Sequence, residues 1–186
     1  MKLKSFPRIS FQIQIKGETE MNYRIVEERA STVVGKDVII KKDPFMEIPA
    51  FVEEIWKNGT HDRINKAVGR LVGSLLYGYY YDFNEDGTRR YMMGFELPER
   101  KEPPGGLVTL HVPDQSYAVF DSRESIPDGV EIGLEIQNVW RRIYAEWFPS
   151  SIFEQVDGAC IEKYYWVNEN HTESICEVWI PVRRKA

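Results

Sequence analysis

Two similar strand–turn–strand segments, about 85 residues apart, constrain this chain more than any other feature of its sequence. Residues 159–182 hold two runs rich in β-branched and aromatic side chains, on either side of the polar turn 168–172. This pattern is typical of an antiparallel hairpin. Residues 76–98 repeat it around the turn residues Asp86 and Gly87. The sequence therefore predicts two related hairpins, one near the end of each half of the chain.

The overlay of the two halves aligns aromatic positions in the hairpins and in the segments that precede them. At a shift of about 85 positions the aligned pairs are Tyr79 with Tyr164, Tyr80 with Tyr165, and Tyr77 with Glu162. At a shift of about 84, Trp56 falls on Trp140. The repeat indicates that each hairpin follows a helix that carries a tryptophan.

Helical periodicity supports this arrangement. Apolar residues at positions 48, 51, 52, 55 and 56 predict a short amphipathic helix with Pro49 as its first residue. Residues 130–148 carry a longer apolar stripe, closed by Pro149. Residues 60–73 have weak helical spacing that is interrupted by glycine, so their structure stays open.

Alternating side chains predict strands at the beginning of each half. The four segments are 23–29, 31–41, 107–113 and 115–123. The Pro- and Gly-rich run 98–106 marks the joint between halves of about 21–98 and 107–183, within a domain of residues 21–186. Residues 1–20 are predicted to be a linker or an N-terminal extension.

Composition limits the classes of function. The chain has 186 residues, of which 42% are hydrophobic and 28% charged, enough for an ordinary core. The net charge is −5, and Lys and Arg are scattered along the sequence rather than gathered in one stripe. We therefore expect no direct nucleic-acid binding by this chain, and an acidic chain fits cationic ligands better than anionic ones.

The two cysteines indicate the cellular compartment. Cys160 and Cys176 lie in the two strands of the last hairpin, where they could meet. The sequence shows no signal peptide, no long apolar run and no metal-ligand spacing. We expect reduced core thiols in a cytoplasmic protein, with no metal, no cofactor and no membrane contact.

Glu162 is the most informative single residue. Alternation places its side chain on one strand face with Cys160, Tyr164 and Trp166. A carboxylate among aromatic side chains must be paired, protonated or ready to meet a cation, because an unpaired buried charge is costly. The alternative is a glutamate at a sheet edge that reaches water or pairs with a lysine across the hairpin.

Four motifs, taken in order, resemble those of the GyrI-like effector-binding domain. They are 116–120 (SYAVF), 140 with 144–151 (W, YAEWFPSS), 161–164 (IEKY) and 177–182 (EVWIPV). This domain occurs in bacterial AraC-type and MerR-type transcription regulators, some of which bind many drugs, and as stand-alone proteins. Residues 6–17 also resemble the connector that follows the DNA-binding region of AraC-type members.

The resemblance implies an α+β fold of two βαββ units related by a pseudo-twofold axis, with a ligand cavity between them. In that family a glutamate at the position of Glu162 meets cationic, aromatic ligands. The other candidate ligand-binding residues are Tyr77, Tyr79, Tyr164, Trp179, Glu177, Trp140 and Trp56. The implied function is sensing of a lipophilic, cationic, drug-like molecule within a transcription regulator. The resemblance implies that this chain lacks its own DNA-binding region, either because it is part of a longer regulator or because its DNA-binding partner is another protein.

Two other classes of function remain open. Some stand-alone relatives are hydrolases of electrophilic natural products, and Glu162 could serve such an enzyme as a general base. The sequence has no nucleophile motif and no phosphate loop, so we expect binding rather than catalysis. The third class is a protein-binding adaptor of the gyrase-inhibitor type, which a small cavity would favour.

Overall fold

The structure is a computed structural model in which residues 21–99, 101–123, 132–170 and 174–186 are described. The predicted linker 1–20 and the first residues of the helix predicted from 130 lie outside these ranges. The strands are β1 (Arg24–Glu28), β2 (Ser31–Ile40), β3 (Tyr77–Tyr81), β4 (Arg89–Glu96), β5 (Val108–Val112), β6 (Gln115–Asp121), β7 (Phe153–Gln155), β8 (Cys160–Trp166) and β9 (Ser174–Arg184). The main helices are α1 (Pro44–Lys57), α2 (Thr60–Val68) and α3 (Ile132–Arg142).

The strand order of the main sheet is symmetric between the two halves. The order is β1-β6-β9-β8-β3-β4-β2-β5, and every pairing is antiparallel. The strands of the two halves correspond in pairs: β1 with β5, β2 with β6, β3 with β8, and β4 with β9. If each strand is replaced by its counterpart, the same order is obtained, read from the other edge of the sheet. The fold is therefore α+β with a large antiparallel sheet, as predicted, and the first strand of each half pairs with the other half.

The strand register corrects the shift inferred for the hairpins. β1 and β5 begin 84 residues apart, at Arg24 and Val108. In β3, Gly78 pairs with Glu162 of β8, and Tyr80 pairs with Cys160. Gly78 and Tyr80 therefore lie on the same sheet face as Glu162. A shift of 84 residues aligns Gly78 with Glu162 and Tyr80 with Tyr164, and so keeps this face. A shift of 85 assigns every side chain of β3 to the wrong face, because strand side chains alternate.

The difference of one residue arises in the hairpin turns. Tyr77 pairs with Gly94, 17 positions along the chain, whereas Ile161 pairs with Trp179, 18 positions along. The connection of the second hairpin is thus one residue longer than that of the first. A shift of 84 aligns β3 with β8, the first strands of the two hairpins. A shift of 85 aligns β4 with β9, the second strands, so one shift cannot align both pairs.

Helix α1 begins five residues before the predicted Pro49. Its N-cap is Asp43, whose side chain accepts a hydrogen bond from the backbone N–H of Phe45, and Pro44 occupies the first helical position. The Glu47 carboxylate accepts further hydrogen bonds from the backbone N–H groups of residues 41, 42 and 43. Pro49 is therefore inside the helix. Residues 60–68, which the sequence left open, form α2.

Helix α3 ends earlier than the predicted 148, because its hydrogen-bond pattern widens. Residues Ile143–Trp147 form a π-helical turn, and a single short turn, Phe148–Ser150, follows. Pro149 lies within this last turn. π-turns within helices are rare and often occur at functional sites.

The helices of both halves pack on one face of the sheet, here called the helix face. Two clusters of buried side chains lie on it, one under α3 around Ile143 and Trp147, the other under α1 around Ile55 and Tyr91. A third cluster, around Tyr79, Tyr117 and Trp179, occupies the opposite face. The two faces therefore have separate apolar interiors.

Both cysteines are buried and free. Cys176 lies opposite Tyr164 in the β8–β9 ladder, so it does not face Cys160. Burial raises the pKa of the Cys160 thiol to about 12, which keeps it protonated at neutral pH. None of the helices within the described residues combines the length and the apolar character that a membrane span requires.

Candidate functional site

A cavity of about 830 Å³ lies on the helix face, between the helices of the two halves and the centre of the sheet. Most of its walls are apolar or aromatic, and its polar groups are few. Lining side chains include Ile48, Val52, Trp56, His61, Tyr80, Tyr91, Met93, Trp140, Tyr144, Glu162 and Tyr164. A cavity of this size and character is typical of a site for a small molecule.

Glu162 is the buried acidic group of this cavity. Glu162 is only 2% exposed, and three side chains donate hydrogen bonds to its carboxylate. Trp140 Nε1 and the Tyr80 hydroxyl donate to Oε1 at 2.7 and 3.0 Å, and the Tyr164 hydroxyl donates to Oε2 at 2.8 Å. The carboxylate is therefore fixed in orientation by neutral donors alone.

No cation of the described residues pairs with this carboxylate. None of the ion pairs found among them includes Glu162. Burial raises the pKa of the Glu162 carboxyl above its ordinary value, although the three hydrogen bonds act to lower it. Burial also raises the pKa of Tyr80 and Tyr164 well above the usual range, so both hydroxyls stay protonated and able to donate.

The fold brings the three donors to Glu162 by three different routes. Tyr164 lies two residues along β8 and so shares the face of Glu162. Tyr80 comes from β3, the neighbouring strand, and Trp140 comes from α3. Opposite Glu162 in the ladder is Gly78, where a Cβ would lie 2.5 Å from the hydroxyl oxygen of Tyr91. This glycine leaves room for the Tyr91 ring beneath the cavity.

A stacked pair of rings forms another part of the wall. The rings of Trp56 and His61 are parallel to within 19°, with centroids 3.5 Å apart. His61 is 1% exposed, whereas Trp56 is 46% exposed. Of the predicted site residues, the structure therefore brings Glu162, Tyr164, Trp140 and Trp56 to one cavity.

The other four predicted site residues lie on the opposite face of the sheet, which corrects the predicted grouping. They are Tyr77, Tyr79, Glu177 and Trp179. Tyr77 and Tyr79 pair with Gly94 and Met92 of β4. Tyr79 also pairs with Ile161 of β8, the neighbour of Glu162, and neighbouring residues of a strand point to opposite faces. A shift of 85 is one residue too large for β3, so it places these tyrosines on the face that Tyr80 occupies.

The opposite face carries its own network of charges. Arg24 forms an ion pair with Glu177, which also accepts hydrogen bonds from Trp179 Nε1 at 3.0 Å and from the Tyr165 hydroxyl at 3.3 Å. The Lys163 ammonium lies 3.5 Å from the centroid of the Trp179 ring and 3.0 Å from Oε1 of Glu28. Each charge described here has a partner within the chain.

Sequence reasoning missed several residues of the cavity, chiefly Tyr80, Tyr91, Tyr144 and His61. Tyr80 could have been found from the shift of 84 that aligns Trp56 with Trp140, since the same shift aligns Tyr80 with Tyr164. His61 falls in the segment that the sequence left open, so its position could not be predicted. Among the described residues, no cluster of three or more His, Cys, Asp or Glu side chains is arranged to hold a metal ion.

Comparison with known proteins gives a consistent picture. Residues 21–183 match the family of GyrI-like small molecule binding domains. Transcriptional regulator BrlR of Pseudomonas aeruginosa is 29% identical over 127 residues, which are 68% of this chain and 43% of that protein. The match therefore spans less than half of that relative's length.

Two solved structures share the fold at low sequence identity. The protein SAV2435, in a structure bound to tetraphenylphosphonium, has a TM-score of 0.67 and 15% identity, over 88% of this chain and 94% of its own. A protein from Staphylococcus aureus MU50, described as a putative bacterial transcription regulation protein, has a TM-score of 0.63 and 17% identity, over 88% of this chain and 99% of its own. Since the family match covers residues 21–183, this chain belongs to the GyrI-like small molecule binding domains.

Proposed function

We propose that this chain binds a lipophilic, aromatic cation in the cavity, with the positive charge beside Glu162, as the ligand-sensing part of a transcription regulator. One observation carries the proposal. Glu162 is a buried carboxylate that three neutral groups orient and that forms no ion pair with any described residue, although Arg89 also lines the cavity. Such a group supplies the negative charge that a desolvated cation requires.

The energies favour a cation that is also aromatic. At an effective dielectric constant near 20, a carboxylate and a cation about 4 Å apart attract by roughly 4 kcal/mol before desolvation. An aromatic face contributes about 0.5 to 2 kcal/mol towards the same cation. The rings of Tyr80, Tyr164 and Trp140 surround the carboxylate and can contribute both packing and charge stabilisation.

The size of the cavity and the known relatives support the same reading. About 830 Å³ is within the range of cavities that hold drug-sized ligands, which favours a ligand-binding domain over an adaptor that uses only its surface. The related fold of SAV2435 holds tetraphenylphosphonium, a cation with four phenyl rings. The regulator role rests on the similarity to BrlR, and it is tested by searching the gene in frame upstream of Met1 for a helix-turn-helix pair.

Two ions of nearly equal shape and opposite charge test the ligand class. We expect tetraphenylphosphonium to bind and to quench the fluorescence of Trp56 and Trp140, which line the cavity. Tetraphenylborate, its anionic counterpart, should bind at least tenfold more weakly. Equal affinity for the two ions, or no binding of the cation in calorimetric titration, would contradict the proposal.

A hydrolase would use the same carboxylate in another way. Burial raises the pKa of Glu162, which suits a general base, but three donated hydrogen bonds lower its basicity. We therefore favour binding. The two functions differ in turnover: a hydrolase consumes an electrophilic substrate such as an epoxide and loses that activity in Glu162→Gln, whereas a sensor returns its ligand unchanged.

A further inference from the structure

Arg89 is a charged residue of the cavity that the proposed cation site does not use. Its side chain is partly buried, and it lines the cavity together with two acidic residues, Glu53 and Glu162. Glu53 forms an ion pair with Lys57, whereas Arg89 forms none with any described residue. The cavity therefore holds one positive and one negative charge, Arg89 and Glu162, for which the described part of the chain supplies no ion-pair partner.

The course of β4 places Arg89 near the mouth of the cavity. Arg89 is the first residue of β4, and alternation puts its side chain on the helix face with Tyr91 and Met93, which line the same cavity. Phe83, on the other side of the hairpin turn, also lines the cavity and is 53% exposed, so this end of the cavity is open to water. Glu162 is buried, so the two charges lie at different depths.

The strand ladder gives the separation of the two charged residues. Glu162 pairs with Gly78, which pairs in turn with Met93. Arg89 lies four residues before Met93 in β4. At about 4.8 Å between strands and about 3.3 Å per residue, the Cα atoms of Glu162 and Arg89 are roughly 16 Å apart. Both side chains extend into the cavity, which shortens the gap between their charged groups to the length of a small fused-ring system.

Stacked aromatic side chains lie between the two charges. Trp140 donates to Glu162, and its ring is parallel to that of Tyr144 to within 8°, with centroids 6.2 Å apart. Arg89 is near enough to Tyr144 for its charge to act on the hydroxyl: burial raises the pKa of Tyr144, and the charge of Arg89 acts to lower it. The wall thus runs from the carboxylate past two rings to the guanidinium. A planar ligand can pack against this wall along its length.

We infer that Arg89 binds an anionic group of the ligand, so the cavity selects planar aromatic cations that also carry a carboxylate or a similar oxyanion. This inference rests on the proposed function, because Glu162 must bind the cationic end of the same molecule. A guanidinium presents its N–H donors in a planar fork that matches the two oxygens of a carboxylate. A cation without such a group gains nothing from Arg89 and is repelled by its charge.

Two rhodamine dyes that differ only in an ester test the inference. Rhodamine B carries a free carboxylate on its pendant ring, and its ethyl ester is the same cation without the negative charge. The affinity of each dye is measured by fluorescence anisotropy in the wild type, in Arg89→Gln and in Arg89→Lys. We expect the affinity of the acid relative to the ester to fall by about 3- to 30-fold in Arg89→Gln, between the size of an exposed ion pair and that of a charge-assisted hydrogen bond. Arg89→Lys should lie between the two, because it keeps the charge and loses the fork.

Arg90 provides a matched control in the same strand. It is the neighbour of Arg89, it faces the opposite side of the sheet, and its Nη1 lies 2.6 Å from Oδ2 of Asp37. Arg90→Gln changes the net charge by the same amount, so it should leave the ratio of the two dye affinities as in the wild type. Tetraphenylphosphonium has no anionic group, and it should bind to Arg89→Gln at least as tightly as to the wild type.

The outcomes separate the role of Arg89 from the cation site on which it depends. If the ratio of dye affinities is the same in the wild type and in Arg89→Gln, or falls equally in Arg90→Gln, the inference is wrong. A parallel loss of both dyes and of tetraphenylphosphonium in Arg89→Gln would show that Arg89 supports the shape of the cavity, and this also overturns the inference. If the wild type binds tetraphenylphosphonium but neither dye, the cation site stands and the inference fails. If it binds none of the three, both fail.

A measurement on the unaltered chain covers the case in which Arg89→Gln does not fold. In ¹⁵N-labelled protein, the Nε–H resonance of Arg89 should shift more on addition of rhodamine B than on addition of its ethyl ester. The Nε–H resonance of Arg90 should shift with neither dye. Equal shifts of the Arg89 resonance with the two dyes overturn the inference.

Discussion

Glu162 and Glu177 occupy similar chemical surroundings on opposite faces of the same sheet, and they differ chiefly in whether a cation of the chain pairs with them. Each carboxylate is largely buried, at 2% and 9% exposure, and each accepts hydrogen bonds from an indole N–H and from tyrosine. Glu177 also has Arg24 as an ion-pair partner, whereas Glu162 has no cation among the described residues. The same kinds of neutral donor, with two tyrosines at Glu162 and one at Glu177, therefore accompany one carboxylate that has an ion-pair partner and one that has none among the described residues.

This difference shows where a ligand can contribute. On the opposite face the positive charge comes from the chain itself, through Arg24, and Lys163 is held between Trp179 and Glu28. On the helix face the walls leave a cavity beside the carboxylate, and a cation from outside would take the place that Arg24 has beside Glu177. Glu177 thus provides a matched control for every experiment on Glu162.

The largest expected effect is on cation affinity. Glu162→Gln removes the charge and keeps the shape: the amide oxygen can still accept from Trp140 and Tyr80, and the Tyr164 hydroxyl can rotate to accept from the amide nitrogen. We expect calorimetric titration to show a loss of roughly 1 to 3 kcal/mol in binding tetraphenylphosphonium, the size of a charge-assisted interaction. Glu177→Gln should bind as the wild type does. Equal losses in the two variants would remove the distinction between the faces.

The second expected effect is a pH dependence confined to the helix face. Because burial raises the pKa of Glu162, protonation neutralises its carboxyl at a higher pH than in an exposed glutamate. The affinity for tetraphenylphosphonium, whose own charge does not titrate, should fall as the pH is lowered through that pKa. In Glu162→Gln the affinity should be low and flat over the same range. A wild-type affinity that is constant from neutral pH down to pH 4 would contradict this prediction.

The third prediction concerns stability without ligand, where only Glu177→Gln should destabilise the protein. Glu177→Gln breaks the pair with Arg24, whose side chain is half exposed, and we expect it to lower the free energy of unfolding by about 1 kcal/mol. Glu162→Gln removes a buried charge that lacks a cation, so it should leave the protein equally or more stable. Urea denaturation of both variants at pH 7.5 measures this.

The pH dependence of unfolding sharpens the same comparison. A carboxyl whose pKa is raised on folding stabilises the protein most below the pKa of the unfolded chain, and this contribution is lost as the pH rises through the folded pKa. The stability of Glu162→Gln relative to the wild type should therefore increase between pH 4 and pH 7.5. A relative stability that decreases over this range would show that the carboxylate is stabilised by the empty cavity.

The smallest expected effect is on DNA, where we predict none from this chain alone. The net charge is −5, and the basic groups described on the opposite face, Arg24 and Lys163, are already paired with carboxylates. Retention of a duplex probe in an electrophoretic shift should not exceed background at 50 mM salt, where phosphate contacts are strongest. Neither Glu162→Gln nor Glu177→Gln should change that. Tight, salt-sensitive retention would show that the chain has a basic surface besides these paired groups.

The sequence by itself was sufficient for the hairpins, the internal repeat and the strand face that Glu162 shares with Tyr164. Each rests on a short-range pattern: alternation along a strand, a polar turn, or helical spacing of apolar residues. The α+β fold was implied by the resemblance to the GyrI-like family, and the symmetric strand order agrees with the pattern that occurs twice in the sequence. The N-terminus of α1 was harder, because Pro44 and Pro49 both lie near the helix start and only the cap at Asp43 distinguishes them.

Only the tertiary structure decided which side chains share the cavity. The face that a tyrosine presents depends on strand register, and the second hairpin turn is longer by one residue, which is enough to exchange Tyr80 for Tyr79. Likewise, Trp140 reaches Glu162 from a helix, His61 is buried against Trp56, and Arg24 reaches Glu177 from a strand contributed by the other half. These contacts join residues far apart in sequence, so no local periodicity encodes them. Packing of the two halves against each other determines which carboxylate has a cation within the chain.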